Sequence, residues 1–257
     1  MDERARRYRP TRRAVLAAAF GAVSAACAPS TDKPREKENT NPNAEPTEES
    51  TLSKTQQSRV DAELMDAVEA GDAEAAEKAL ANGAQVDTRD SRDRTALLLA
   101  VADDKVALAA VLVEAGADVN AVDDQSDTPW LVTGVTGSVD MMETLLPSKP
   151  DTSITNRYGG TALQPACERG HADYVREVLD QSDIDVDQVN DLGWTGMLEA
   201  IVLGDGSKPY QDIVDELIAH DADVNLADSD GVTPLVLARQ HGHDRIADKL
   251  RDAGGHE

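Results

Sequence analysis

Short apolar segments recur at nearly constant intervals from about residue 58 to the end of the chain. Five of them open at a threonine, and the openings are Thr95, Thr128, Thr161, Thr195 and Thr233. Their spacings are 33, 33, 34 and 38 residues. Because periods of about 20 to 50 residues are typical of solenoids and related arrays, the pattern predicts stacked repeats. A step of 33 residues back from Thr95 reaches Ala62, which predicts a degenerate first repeat.

Residues 95–120 show the repeating unit most clearly, because they contain two helical patterns in succession. Both have the i, i+3, i+4 spacing of an amphipathic helix, at Leu97, Ala100 and Val101 and again at Leu108, Val111 and Leu112. Gly116 follows the second pattern, where a left-handed helix cap favours glycine. Aromatic residues make up only 3% of the chain, which suits thin helix-on-helix layers better than one large core.

The unit resembles the ankyrin repeat, which has a Thr-Pro-Leu-His opening, a glycine between two antiparallel helices and a closing Gly-Ala-Asp-Val-Asn. The matching segments are Thr128-Pro129-Trp130, Thr233-Pro234-Leu235, Gly170-His171, Gly242-His243, Gly83-Ala84, Gly116-Ala117-Asp118-Val119-Asn120 and Ala222-Asp223-Val224-Asn225. The resemblance covers residues 58–257 and implies an all-α ankyrin-repeat solenoid of about six helix-turn-helix units joined by β-hairpin-like loops. The predicted units are 58–89, 90–122, 123–155, 156–189, 190–227 and 228–257.

The chain departs from the family pattern at two kinds of position. The opening histidine, which in the family helps to join neighbouring turns, is replaced by Leu98, Leu131, Gln164, Leu198 and Val236. The fifth unit carries five extra residues around 203–210. Since insertions in repeats map to loops, we expect this one to lengthen the turn between the paired helices.

Residues 1–26 have the order of parts expected of an export signal. Arg-rich residues 4–13 precede an apolar run from Ala14 to Ala26, and Arg12-Arg13 resembles part of a twin-arginine signal. Ser24-Ala25-Ala26-Cys27 resembles a bacterial lipobox, which implies lipidation of Cys27. The alternative is an ordinary cleaved signal in which Cys27 is incidental.

Residues 27–57 predict a lipid-anchored, disordered tether, because they are rich in Pro, Glu, Asn, Thr and Ser and nearly free of large apolar residues. The implied location is the bacterial cell envelope, outside the cytoplasm. The chain has a formal net charge of -24, to which the first 26 residues contribute +4, so that their removal leaves -28. Such acidity disfavours nucleic acid and anionic lipid as partners, so membrane attachment is expected through the N-terminal lipid only.

No arrangement of residues predicts catalysis, a cofactor or a metal site. His171 and His243 occupy the structural turn position of the family, where the imidazole bonds backbone. His241, His243 and His256 lack cysteine partners and a four-ligand spacing. Cys167 is expected to be a small buried apolar residue of a first helix. We therefore expect a protein that is not an enzyme.

An ankyrin solenoid, by resemblance, presents a concave face built from hairpin tips and first helices. Tyr, Trp and Arg are the usual anchors of binding hot spots. The residues predicted to contact a partner are accordingly Arg92, Arg94, Arg157, Tyr158, Arg169 and Trp194. Tyr158 and Trp194 are expected at adjacent tips, and the alternative is that Trp194 packs onto its own hairpin. Trp130, which replaces an opening leucine, is expected in the core.

These observations favour a monomeric, non-enzymatic scaffold that binds another protein at the cell envelope. The alternative is a structural or stress-protective envelope lipoprotein, for example one supporting peroxide defence, without a single tight partner. Recovery of a bound protein with the purified chain would distinguish the two.

Overall fold

The computed structural model describes residues 52–257. This part of the chain forms twelve α-helices and one 3₁₀ turn, Leu146–Ser148. The α-helices are α1 (Lys54–Ala70), α2 (Ala73–Ala81), α3 (Ala96–Ala102), α4 (Val106–Glu114), α5 (Pro129–Thr136), α6 (Val139–Leu145), α7 (Leu163–Arg169), α8 (Ala172–Gln181), α9 (Gly196–Val202), α10 (Lys208–Ala219), α11 (Pro234–Gln240) and α12 (Asp244–Asp252).

The helices form six consecutive pairs that stack into two layers. The first helices of the pairs (α1, α3, α5, α7, α9 and α11) contact one another in chain order, and so do the second helices. Hairpin-like loops join the pairs, and in the described residues the one β-bridge lies between Arg89 and Thr95. The predicted all-α solenoid of helix-turn-helix units is therefore confirmed.

Four of the five periodic threonines stand at helix N-caps, and three of these cap the helix with their side chains. The Thr95 hydroxyl accepts a hydrogen bond from the backbone N–H of Leu98 at 3.1 Å, and Thr128 and Thr195 make the same bond three residues ahead. Each bond satisfies one of the free N–H groups that every helix start exposes. The threonine period thus marks the first turn of successive first helices.

Gln164 stands where the family has its opening histidine, and it takes over the joining role. Its side-chain oxygen accepts hydrogen bonds from the backbone N–H and the hydroxyl of Thr161, both at 2.8 Å. Its amide donates to the backbone oxygen of Gln188, also at 2.8 Å. Gln164 therefore ties the first helix of the fourth unit to the loop after its second helix.

The folded part of the chain begins earlier than the predicted boundary at residue 58. Helix α1 starts at Lys54, because Ser53 and Gln56 form a reciprocal capping box. The Leu52 side chain lies against Gly83, at the end of the first pair. The last residues of the predicted tether 27–57 are therefore part of the solenoid.

The predictions for Cys27 and for residues 1–26 lie outside the described residues. Within residues 52–257, none of the helices combines the length and the apolar character needed to cross a bilayer.

The five extra residues of the fifth unit are shared between a turn and a helix. The turn between α9 and α10 has five residues, against three between α3 and α4, and α10 has twelve residues against nine in α4. The Tyr210 hydroxyl donates to the backbone oxygen of Glu168 on α7 at 3.0 Å. The insertion thus lengthens the turn, as predicted, and also lengthens α10.

Apolar residues of modest size fill the space between the layers. Trp130 and Tyr174 are the largest fully buried side chains, and Cys167 is also fully buried. The predicted core positions of Trp130 and Cys167 are confirmed. Burial raises the pKa of the Cys167 thiol well above its usual range, which keeps it protonated.

The two turn histidines differ from each other. The Nε2 atom of His171 lies 3.3 Å from the backbone oxygen of Val135, as its expected structural role requires. The Nε2 atom of His243 is enclosed and has no hydrogen-bond partner, so the backbone bond predicted for it is wrong. The His243 ring lies against Gly206 of the preceding unit, as the His171 ring lies against Gly137.

Candidate protein-interaction surface

The five hairpin loops share one backbone clamp. In each, a side-chain Oδ1 atom accepts two hydrogen bonds of 2.8–3.1 Å from the backbone N–H groups two and four residues ahead. Short Asp and Asn side chains favour such turns because they can bond their own backbone. The clamping residues are Asp90, Asp123, Asn156, Asn190 and Asp228.

The clamp decides which residue stands at each hairpin tip. The tip residue is the one two positions after the clamping residue. The five tip residues are Arg92, Gln125, Tyr158, Leu192 and Asp230. In the last three of the five hairpins the next residue is a glycine with a left-handed backbone, such as Gly159 with φ +75° and Gly193 with φ +78°.

Hydrogen bonds hold neighbouring tips side by side. The backbone N–H of Asp191 donates to the backbone oxygen of Tyr158 at 2.9 Å. The Arg157 guanidinium donates to the side-chain oxygen of Gln125 on the preceding tip. We call this set of residues (Gln125, Arg157, Tyr158, Asp191 and Leu192) the tip patch.

The tip patch exposes an aromatic and an aliphatic side chain on adjacent repeats. Tyr158 is 46% exposed and Leu192 is 58% exposed. The Arg157 guanidinium lies 4.9 Å from the centre of the Tyr158 ring, a cation–π geometry that holds both side chains in place. A preorganised aromatic next to an exposed leucine is a suitable anchor for another protein.

Trp194 is not an exposed anchor, which corrects its predicted place at a hairpin tip. It is only 7% exposed and belongs to the hydrophobic core. The clamp explains this burial. The Asn190 side chain accepts a hydrogen bond from the backbone N–H of Trp194, which places Trp194 two residues beyond the Leu192 tip and next to the N-cap Thr195. The alternative that Trp194 packs inward is the one that the structure has.

The predicted basic residues occupy different environments. Arg92 is exposed at the second-unit tip, and Arg169 is exposed at the end of α7. Arg94 instead donates two hydrogen bonds to one carboxylate oxygen of Asp90, at 2.8 and 2.6 Å. Of the predicted contact residues, the structure thus brings Arg157 and Tyr158 together and commits Arg94 to its own hairpin.

Other large apolar side chains lie exposed on the same hairpins and on a first helix. In the described part of the chain the exposed large apolar residues are Val122, Val135, Tyr158, Val189 and Leu192. The predicted contact set omitted Leu192. Its position within the repeat could have identified it. Tyr158 and Leu192 each lie three residues before a periodic threonine and one residue before a glycine.

A buried carboxyl group lies behind the Leu192 tip. Glu199 is 8% exposed, and its Oε1 atom accepts a hydrogen bond of 2.8 Å from the Asn190 amide. The pKa of Glu199 is raised to about 8, mainly by burial of the side chain and to a smaller extent by the nearby Glu168 carboxylate. The same Asn190 clamps the hairpin that carries Leu192, so the carboxyl group and the tip are mechanically linked.

Among residues 52–257 there is no group of three or more His, Cys, Asp or Glu side chains placed to hold a metal ion. The described residues include 16 Lys and Arg against 41 Asp and Glu, so this part of the chain as a whole is strongly acidic.

Comparison with known proteins decides the family. The model for ankyrin repeats in three copies matches residues 64–156 and 130–226. The chain belongs to the ankyrin repeat family. Ankyrin repeats typically serve as non-enzymatic modules that bind other proteins, and no catalytic family is indicated for this repeat protein.

Relatives of known sequence or structure match most of the solenoid. The chain is 40% identical over 193 residues to the ankyrin repeat protein YahD of Escherichia coli, covering 75% of this chain and 96% of YahD. The crystal structure of an ankyrin repeat domain from Acinetobacter baumannii AYE is 42% identical, with a TM-score of 0.72, and the match covers 75% of this chain and 98% of that one. The ankyrin repeat domain of Bcl-3, a member of the IkappaB family, is 25% identical with a TM-score of 0.67, over 76% of this repeat protein and 86% of Bcl-3.

Proposed function

We propose that this ankyrin repeat protein is a non-enzymatic scaffold that captures another protein through its tip patch, at the bacterial cell envelope. The observation that carries the proposal is the adjacent exposure of Tyr158 and Leu192 on hydrogen-bonded hairpins. Large exposed apolar side chains on a rigid framework are costly to leave in water, and they mark interaction sites when they share one side of a protein.

Capture of a partner from native envelope extract tests the proposal. The bait is the full chain, beside the double variant Tyr158→Ala/Leu192→Ala. A control variant, Arg251→Ala, removes an exposed side chain of the last helix α12. We expect one protein to be recovered by the wild type and by the control, and to be lost with the double variant.

Two results would contradict the scaffold. Equal recovery by the double variant would move the binding surface away from the tip patch. Recovery of nothing across a range of salt concentrations would favour a structural or stress-protective envelope protein. Circular dichroism of the variants checks that the solenoid is intact, which we expect because both altered side chains are exposed.

We further propose that the chain reaches the envelope by its N-terminal signal and stays there through a lipid on Cys27. The support is the order of Arg-rich segment, apolar run and Ser24-Ala25-Ala26-Cys27. The test is metabolic labelling with a radioactive fatty acid, combined with membrane fractionation, for the wild type and Cys27→Ala. Label and membrane association should both be lost in the variant. Retention of both would show that Cys27 is not the anchor.

A further inference from the structure

The fifth unit departs from the others at one position of its first helix. Four residues after the periodic threonine, the other four units that open at a threonine carry an apolar residue: Leu99, Val132, Pro165 and Leu237. The fifth unit carries Glu199 there, and its side chain is buried, as are Pro165 and Leu237, whereas Leu99 and Val132 are partly buried. A buried carboxyl group in place of an apolar residue costs stability, so its presence needs a specific explanation.

Glu199 is only half satisfied within the chain. Asn190 donates to Oε1, and no hydrogen bond of the described residues reaches Oε2. Oε2 is not one of the fully enclosed side-chain atoms without a partner, which among the described residues are Trp130 Nε1 and His243 Nε2. One carboxyl oxygen of a side chain that is 8% exposed is therefore left without a hydrogen bond from the described residues.

Among residues 52–257, no Lys, Arg or His side chain forms an ion pair with Glu199. The charged groups of α7 that shift the pKa of Glu199 are Glu168, which raises it, and Arg169, which lowers it, and Glu199 in turn raises the pKa of the Cys167 thiol. Arg169 lowers the pKa of Glu199 from a distance and makes no ion pair with it. In the described part of the chain, no hydrogen bond or ion pair joins Glu199 to α10 or α11, the other helices that pack on α9.

We propose that the Glu199 carboxylate is the receptor for a Lys or Arg side chain of the protein partner, inserted beside the exposed Leu192. The inference rests on the proposed function and names the chemistry of the partner. Asn190 joins the two parts of the site, because it bonds Glu199 with its amide and clamps the Leu192 tip with its oxygen. The partner segment therefore pairs a cationic side chain with a neighbouring apolar one.

Charge complementarity supports a cationic partner segment. The described residues contain 41 acidic and 16 basic side chains, so a basic segment is attracted to this surface from a distance. A cation desolvated against a buried carboxylate then gives specificity that exposed surface acids do not give.

The site couples binding to proton release. The pKa of Glu199 is about 8 in the free protein, so the carboxyl is largely protonated at pH 6.5. A bound Lys or Arg side chain favours the ionised form, and the proton leaves to the buffer.

The experiment uses peptides of defined sequence as probes. Random peptides displayed on phage are selected against the full chain, and the best are synthesised and measured by calorimetry. The binding proteins are the wild type, Glu199→Gln and the matched control Glu114→Gln, which removes an exposed acid from the second helix α4. Glutamine at 199 retains an oxygen that can accept the Asn190 hydrogen bond.

We expect the selected peptides to contain Lys or Arg beside an apolar residue. Their affinity should fall about tenfold or more in Glu199→Gln and stay unchanged in Glu114→Gln. At pH 6.5, measurements in two buffers of different ionisation enthalpy should show about one proton released by the wild type and none by Glu199→Gln.

The failure of this inference is distinguishable from failure of the proposed function. Peptides that lose affinity for Leu192→Ala but bind Glu199→Gln normally and release no proton would overturn the role of Glu199 and keep the tip patch. Peptides indifferent to both substitutions, or a selection that yields none, would count against the scaffold and the cation site together.

Discussion

The hydroxyl groups of Thr133 and Tyr174 lie 2.7 Å apart in the buried layer between neighbouring units. Thr133 donates its own proton to the backbone oxygen of Trp130, also at 2.7 Å. A hydroxyl has only one proton to give, so the Tyr174 phenol is the donor to Thr133. The three groups form a directed chain of hydrogen bonds inside an otherwise apolar core.

This direction predicts unequal effects of two substitutions. Tyr174→Phe removes the donor and leaves Thr133 bonded to Trp130, so it should lower the free energy of unfolding by about 1 kcal/mol. Thr133→Val strands the buried phenol without an acceptor and should cost about 1–3 kcal/mol. Urea unfolding of both variants and of the double variant measures the difference. A larger loss for Tyr174→Phe than for Thr133→Val would reverse the assigned direction.

Gly134 is the point of closest approach between α5 and the start of the fourth unit. A methyl group on Gly134 would overlap the backbone oxygen of Ala162, which cannot move as a flexible side chain can. We therefore expect Gly134→Ala to lower the free energy of unfolding by about 1–3 kcal/mol, although alanine favours helices over glycine.

Gly116→Ala is the comparison for this prediction. Gly116 has φ +87° and open space around it, so alanine there meets only backbone strain, worth about 1–2 kcal/mol. Thermal and urea unfolding measure both variants. Unchanged or increased stability of Gly134→Ala would show that the two units can separate at no cost.

His220 links the fourth and fifth units in a pH-dependent way. Its Nδ1 atom lies 2.9 Å from the backbone oxygen of Glu216, and its Nε2 atom lies 3.0 Å from the Asp180 carboxylate. The backbone oxygen of Glu216 contributes most to stabilising the protonated ring, and the Asp180 carboxylate contributes less. Together they raise the pKa of His220 above 6.5. The resulting stability is complete below pH 6.5 and is lost as pH rises through the raised pKa.

The variant Asp180→Asn removes the part of that contribution that comes from Asp180. Both partners are partly exposed, so the wild type should exceed the variant by no more than about 1 kcal/mol at pH 6, and the difference should shrink by pH 8.5. Urea unfolding across this range gives the difference. A gap that widens with pH would contradict the assigned sign.

Glu199 should make the stability of the protein fall with rising pH. Its pKa is about 8 in the folded protein against an ordinary value of 4.5. A raised pKa gives stability that is fully present below pH 4.5 and is lost as pH rises to about 8. Relative to Glu199→Gln, the wild type should lose roughly 2–4 kcal/mol across this interval. Equal pH profiles for the two proteins would mean that the carboxyl is solvated.

Several features of the fold could be predicted because they depend on local sequence. The threonine period predicted the spacing of the first helices, and the low aromatic content predicted thin helical layers. The insertion in the fifth unit was placed in its turn, but its partial use in lengthening α10 depends on contacts such as Tyr210 with Glu168.

The candidate surface was predicted in part. Tyr158 and Arg157 lie together at a tip as expected, whereas Trp194 is buried and Leu192 takes the exposed position. A tryptophan in a hairpin sequence can face either side, and residue type does not decide between them. The hydrogen bonds of the Asn190 clamp make that choice.

The sequence by itself determined the repeat period, the order of helix pairs and the core positions of Trp130 and Cys167. These follow from caps and helical periodicity, which act over a few residues. Only the tertiary structure decided that Glu199 is buried, that Gln164 bonds the backbone of Gln188 and that Leu192, not Trp194, is exposed beside Tyr158. Those relationships arise where one repeat packs on the next, because each repeat completes its hydrogen bonds and its apolar burial with its neighbours.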